Sequence, residues 1–333
     1  MIFIALNTIF NGFILGVMLL IGNSLLHIQA LNTANSLLLG YIISATLSII
    51  GYTKLANKLI GIFISGRQPI TREINRIEPI LKQIIEKVNK KFNAKYTYQD
   101  LKIKITDSKI ANTCALGYNK IIISDGCLKY FNDSQLTAML SHEFAHLYYK
   151  DTIRSTSFIL GSFATKILMQ IFVISLTIQT TIANIIKKSK HGLMISIISF
   201  FPFLVLLPIF ALGWIGNKIF IILNAQLSKK NTYRADAFTV HLGYKNELIE
   251  ALEILNDLRV ENNTFIDKIM SSNLAIKLRI GAIEDYIIQN QYPDTFYQNK
   301  TNSQQSTTNT KELAILIGYF IFIGITLHIL LLK

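Results

Sequence analysis

Charge is scarce in this chain: Asp, Glu, Lys and Arg make up only 16% of it, against roughly 25% in an ordinary soluble domain. That shortage argues against a purely soluble protein. Cysteine is nearly absent too, with Cys114 and Cys127 the only two. Their spacing matches no Cys-based zinc site, and both read as small core residues. No internal repeat is present.

Apolar residues, at 51% of the 333, gather instead into long uncharged runs. Met1–Gly22 carries no charge and is long enough to cross the hydrocarbon core as a helix. A signal peptide would want a basic n-region and a small-residue cleavage site, so the segment reads as a retained helix. Ser36–Thr53 follows and completes a hairpin. Ser157–Ile186, interrupted by Lys166, and Leu193–Leu223, interrupted by Pro202, Pro208 and Lys218, form a second pair. Leu313–Leu332 is a fifth run, which puts the two chain ends on opposite sides.

Basic loops stay cytoplasmic. Lys54 to Arg154 is studded with Lys and Arg while Asn23–Asn35 has neither, so the large segment is expected on the cytoplasmic side and Ser228–Glu312 returns to it. The basic turn Lys187, Lys188, Lys190 would then face outward and break the rule, unless the second pair packs partly against the soluble part. In a reducing compartment a disulfide is not expected. The net charge of +13 suits loops beside an anionic leaflet. Nucleic acid is not an expected partner, because the basic residues are scattered and no groove-reading motif accompanies them.

Between the runs lie two soluble pieces of about 100 and about 85 residues, which together approach the usual size of one domain. Thr71–Phe92 places Ile74, Ile77, Leu81, Ile84, Ile85 and Val88 at the helical period. Leu101–Thr106 and Asn119–Ser124 read as strands with a turn or irregular connection between them. Asn132 and Asp133 can cap a helix carrying Leu136, Met139, Leu140, Phe144 and Leu147. Ser228–Leu242 and Asn246–Asn256 read as helices separated by Gly243, and the polar stretch Asn299–Thr310 as a flexible tether. The fold class is mainly α with a small β-sheet in a multi-span membrane protein. Its expected divisions are an N-terminal hairpin (1–53), a first catalytic part (54–156), a second hairpin (157–223), a second catalytic part (224–298), a linker (299–312) and a last span (313–333).

The capped helix contains Ser141-His142-Glu143-Phe144-Ala145-His146, the pattern H-E-x-x-H. One helical turn separates His142 from His146, so both imidazoles can reach one Zn²⁺. Glu143 beside them can act as general base on a zinc-activated water and then as acid towards the leaving amine. His241 and His191 have no partner pattern and read as surface or packing residues. His27 and His328 sit at or within apolar segments, near an interface. Lys166 and Lys218 read as snorkelling side chains.

These residues resemble the HtpX-type membrane endopeptidases and their relatives the CAAX prenyl proteases, which are gluzincins. The resemblance covers nearly the whole chain: the order of hairpin, catalytic part and second hairpin; Asn112 to Gly117 before Ile121–Ser124; Gly126 to Leu128; Tyr233-Arg234-Ala235-Asp236-Ala237; and Arg279-Ile280. It implies a zincin-like catalytic domain inserted between hairpins, one Zn²⁺ per chain, and protein or peptide substrates cleaved at the cytoplasmic face of a bacterial inner membrane. The fifth span is an addition to the usual plan. The family's third ligand is a Glu at the position of Thr232, whose hydroxyl is a poor zinc ligand. Asp236, one turn on, is then either a third ligand or a supporting residue. Asn273 stands where the family has a His that hydrogen-bonds the developing oxyanion, and Asn can also donate there. A descendant that binds membrane clients without cutting them is the rival expectation. A transporter would need paired charges or broken helices in corresponding halves, and neither is found.

Overall fold

The computed structural model describes residues 2–25, 32–56, 58, 66–186, 192–258, 276–289 and 305–331. Asn273, His27, His191, the basic turn at 187–190 and residues 299–304 of the expected tether lie outside them. In chain order the elements are α1 (Ile2–Leu25), α2 (Thr33–Ile50), α3 (Thr71–Phe92), β1 (Lys102–Thr106), β2 (Thr113–Leu116), β3 (Lys120–Ser124), α4 (Asp125–Tyr130), α5 (Asp133–Tyr148), α6 (Asp151–Gly161), α7 (Phe163–Ile186), α8 (Gly192–His241), α9 (Lys245–Asp257), α10 (Ile276–Gln289) and α11 (Gln305–Leu331). The class is mainly helical with one small sheet, as composition and pattern require. Two compact units are built from these elements.

The first unit comprises Met1–Gly51, Ser157–Ile221 and Glu312–Lys333. Helices long and apolar enough to cross a membrane run over Phe3–Asn23, Thr33–Ile50, Phe163–Ile185 and Leu207–His241, with a shorter apolar helix at Leu313–Thr326. Glycine lets α1 and α2 touch backbone to backbone: a Cβ on Gly40 would stand 2.3 Å from Gly16 N, and one on Gly12 2.7 Å from Tyr41 Cα. Lipid tails are as apolar as these side chains, so association relies on such close packing and on buried hydrogen bonds. Thr8 and Ser48 hydroxyls meet at 2.7 Å, Ser44 donates to the Gly161 carbonyl at 2.7 Å, and Asn7 donates to the Phe158 carbonyl at 3.1 Å.

The second unit comprises Tyr52–Thr156 and Ile222–Lys311. Its sheet has the order β1-β3-β2, with β1 parallel and β2 antiparallel to β3. The outer strand β2 falls in the stretch expected to be an irregular connection. It has only four residues, and Ser124 completes it by donating to the Asn112 carbonyl at 3.0 Å. The apolar face of α3, with Ile77, Leu81, Ile84 and Val88, packs into one core with Ile105, Ile121, Ile123, Leu136, Leu140 and Phe144. Lys229, Lys230, Arg234 and Asp236 make the last turns of α8 polar although its backbone is unbroken. The expected helix from Ser228 is thus the continuation of the second hairpin's last run, a single helix of 50 residues. It stops at Gly243, whose φ of +89° glycine adopts without steric cost. Helix α11 begins at Gln305, inside the stretch expected to be a tether.

Candidate metal centre and active site

Helix α5 presents the chemistry from inside the core. Its start is fixed by reciprocal caps: Asn132 Oδ1 accepts from the Gln135 amide at 2.8 Å, and Gln135 Oε1 accepts from the Asn132 amide at 3.1 Å. Thirteen of its sixteen residues are buried, including His142 and Glu143, so the polar residues sit within the core rather than on a wet face. The two imidazoles stand edge to face with centroids 5.0 Å apart.

A buried ring needs a partner for each polar atom. His142 Nδ1 lies 2.8 Å from Asp236 Oδ1. Asp236 in turn takes both arms of Arg279, with Nη2 at 2.6 Å from Oδ1 and Nε at 2.9 Å from Oδ2. Burial drives the His142 pKa down and prevails over the raising influence of Asp236. A neutral ring in this place has Nδ1–H to donate to a carboxylate whose charge is balanced by Arg279. His146 Nδ1 lies 3.3 Å from Asp151 Oδ2. Burial pulls its pKa down as well, but the hydrogen bond to Asp151 and the charge of Glu143 outweigh it, and the net direction is upward.

Glu143 is gripped by β2. Thr113 Oγ1 donates to Oε1 at 2.9 Å and the Ala115 amide donates to Oε2 at 2.7 Å. Cys114 between them is largely enclosed without being fully buried. Burial, and then the charge of Glu143, push its thiol up to about 12. Cys127 is buried and free.

Of the residues singled out in the sequence, His142, Glu143, His146, Asp236 and Arg279 come together. Thr232 turns its hydroxyl to the Ser228 carbonyl of its own helix at 3.1 Å. Among the described residues no group of three His, Cys, Asp or Glu side chains is arranged to hold a metal ion. Sequence reasoning missed Asp151 and the β2 donors. Asp151 follows the helix by three residues with no motif of its own, and a backbone amide leaves no signature in residue identity.

Residues 75–287 match the model of Peptidase family M48. The chain belongs to that family. The resemblance carried by the H-E-x-x-H helix and its surroundings points to the same place. This M48 chain is 26% identical over 212 residues to Protease HtpX of Pseudomonas fluorescens (strain Pf0-1), a match covering 60% of this chain and 66% of that protein. It is also similar to the crystal structure of S. mikatae Ste24p, with a TM-score of 0.43 and 18% identity, over 81% of this chain and 62% of that one. It thus spans somewhat under two thirds of the length of each.

Proposed function

We propose that this M48 chain is a zinc-dependent endopeptidase that hydrolyses peptide bonds of membrane or misfolded proteins at the cytoplasmic face of a bacterial inner membrane. One observation carries the reading: two imidazoles one turn apart, each with Nδ1 taken by a carboxylate, flank a glutamate on the same buried helix. With Nδ1 occupied, Nε2 is the remaining donor of each ring, and two such nitrogens suit zinc. When bound, zinc supplies Lewis acidity and acidifies water.

The chain's own residues account for the rest. Asp236 has both oxygens committed to His142 and Arg279, so we assign it to holding the His142 ring and not to ligation. Glu143 accepts two hydrogen bonds where a carboxylate has about four lone-pair positions. It keeps capacity to take a proton from the attacking water and return it to the amine nitrogen. The outer strand β2 holds that base through the Thr113 hydroxyl and the Ala115 amide. Asn273 is assigned the oxyanion-donor role on resemblance alone.

The test is cleavage of unfolded casein by the full chain in detergent with zinc supplied. Glu143→Gln should lower the rate at least about 100-fold while leaving metal content unchanged. An equal rate in the variant overturns the reading.

A second reading, a client-binding protein that does not cut, is favoured by Thr232, whose hydroxyl is spent on Ser228. Thr232→Glu separates the two. A gain in zinc affinity and proteolysis together means that the natural centre is impaired, whereas unchanged values beside zinc binding and proteolysis by the wild type support the enzyme reading.

A further inference from the structure

His142 and His146 are supported in parallel. In each case an imidazole Nδ1 meets an aspartate, and that aspartate meets an arginine. The first series, His142–Asp236–Arg279, is tight and buried: 2.8 Å from ring to carboxylate, with Arg279 only 8% exposed. The second is His146–Asp151–Arg234. Its ring-to-carboxylate distance is longer, 3.3 Å, while Asp151 Oδ1 takes Arg234 Nη2 at 2.6 Å.

Three contacts fix Arg234 for this task. Its Nη2 reaches Asp151 and also Asn231 Oδ1 at 3.2 Å, and its guanidinium lies 4.2 Å above the centre of the Tyr149 ring. Such stacking with hydrogen bonding is a property of the planar fork that lysine lacks. Asp151 is brought back towards His146 by a turn in which Lys150 adopts a φ of +59°, a left-handed conformation costly for lysine. Arg154 approaches the same carboxylate only to 3.9 Å. Arg234 and Asp236 lie two residues apart on α8, so one helix end supplies a support for each ring.

We propose that Arg234, acting through Asp151, is a positioning residue for His146: it fixes the carboxylate that selects the ring's tautomer and leaves Nε2 as the donor. This rests on the metal-centre reading above, and it assigns roles to two residues outside the H-E-x-x-H motif. Arg234 touches neither substrate nor reacting atoms. Its effect passes through the carboxylate, as partners behind metal-binding histidines commonly act.

The test uses the full chain in detergent, with Co²⁺ as a visible probe and zinc in competition. Arg234→Gln should weaken Co²⁺ affinity about tenfold and alter the Co²⁺ absorption bands. Arg234→Lys should recover part of the loss, Asp151→Asn should match or exceed it, and Arg154→Gln should leave affinity and spectrum at wild-type values. Long-range ¹H–¹⁵N correlation on the metal-free protein supplies an independent readout. At a pH above the raised His146 pKa, where the ring is neutral, His146 should carry its proton on Nδ1 in the wild type and populate both tautomers in Arg234→Gln, with His142 unchanged. Wild-type affinity, spectrum and tautomer in Arg234→Gln would overturn the proposal. If the wild type takes up no metal, the metal-centre reading fails and the tautomer still decides the role of Arg234.

Discussion

At Asp236 a buried carboxylate faces a buried guanidinium through two hydrogen bonds and an imidazole through a third. Removing one member of such a group strands the other in a medium that solvates it poorly. Asp236→Ala is therefore expected to destabilise the fold by about 3–5 kcal/mol, read from denaturation of the detergent-solubilised chain. A loss comparable to that of an exposed ion pair would mean that Arg279 finds water instead. Cys114 offers a pH readout of the same neighbourhood. With its pKa raised to about 12 by burial and Glu143, the thiol is protonated at neutral pH. Alkylation should be slow at pH 8 and rise about tenfold per pH unit, because the thiolate is the nucleophile. Mass spectrometry of the native protein measures it, and labelling at pH 8 at the rate of a free thiol contradicts the assignment.

Elements were legible where a period or a cap wrote them into the sequence. The α3 period and the cap at Asn132 are of that kind, and Gly243 ends α8 as its place after the last periodic residue implies. Strand β2 was not legible: four residues at a sheet edge carry no alternation long enough to separate strand from connection. The continuity of α8 was hidden for another reason, since hydropathy reports the solvent around a helix and not whether its backbone is broken. The turn from α5 to α6 tests backbone cost directly. Lys150→Gly should change stability by less than about 1 kcal/mol, as relief of the left-handed strain is offset by glycine's greater loss of freedom. Lys150→Ile should cost about 1–2 kcal/mol. Equal denaturation midpoints for the two would contradict a strained turn. In the first unit, Gly40→Val must push against Gly16 backbone at 2.3 Å. It should cost at least about 1–3 kcal/mol of thermal stability, and an unchanged melting temperature would mean that α1 and α2 separate freely.

At the scale of the molecule, an integral membrane part and a sheet-bearing unit alternate along the chain, and helix α8 contributes to both. The sequence announces this in its uncharged runs, while the composition of the centre is announced only in part. His142, Glu143 and His146 follow from spacing. The carboxylates behind the rings could not be paired with them in advance, because Asp151 and Asp236 reach them through tertiary folding and not through a fixed interval. Whether two histidines and their buried supports suffice for metal is the claim on which the rest depends. Elemental analysis of the purified full chain tests it most directly. One zinc per chain is predicted for the wild type and for Glu143→Gln, and none for the double variant His142→Ala, His146→Ala. A wild type holding no more zinc than that double variant would contradict the account.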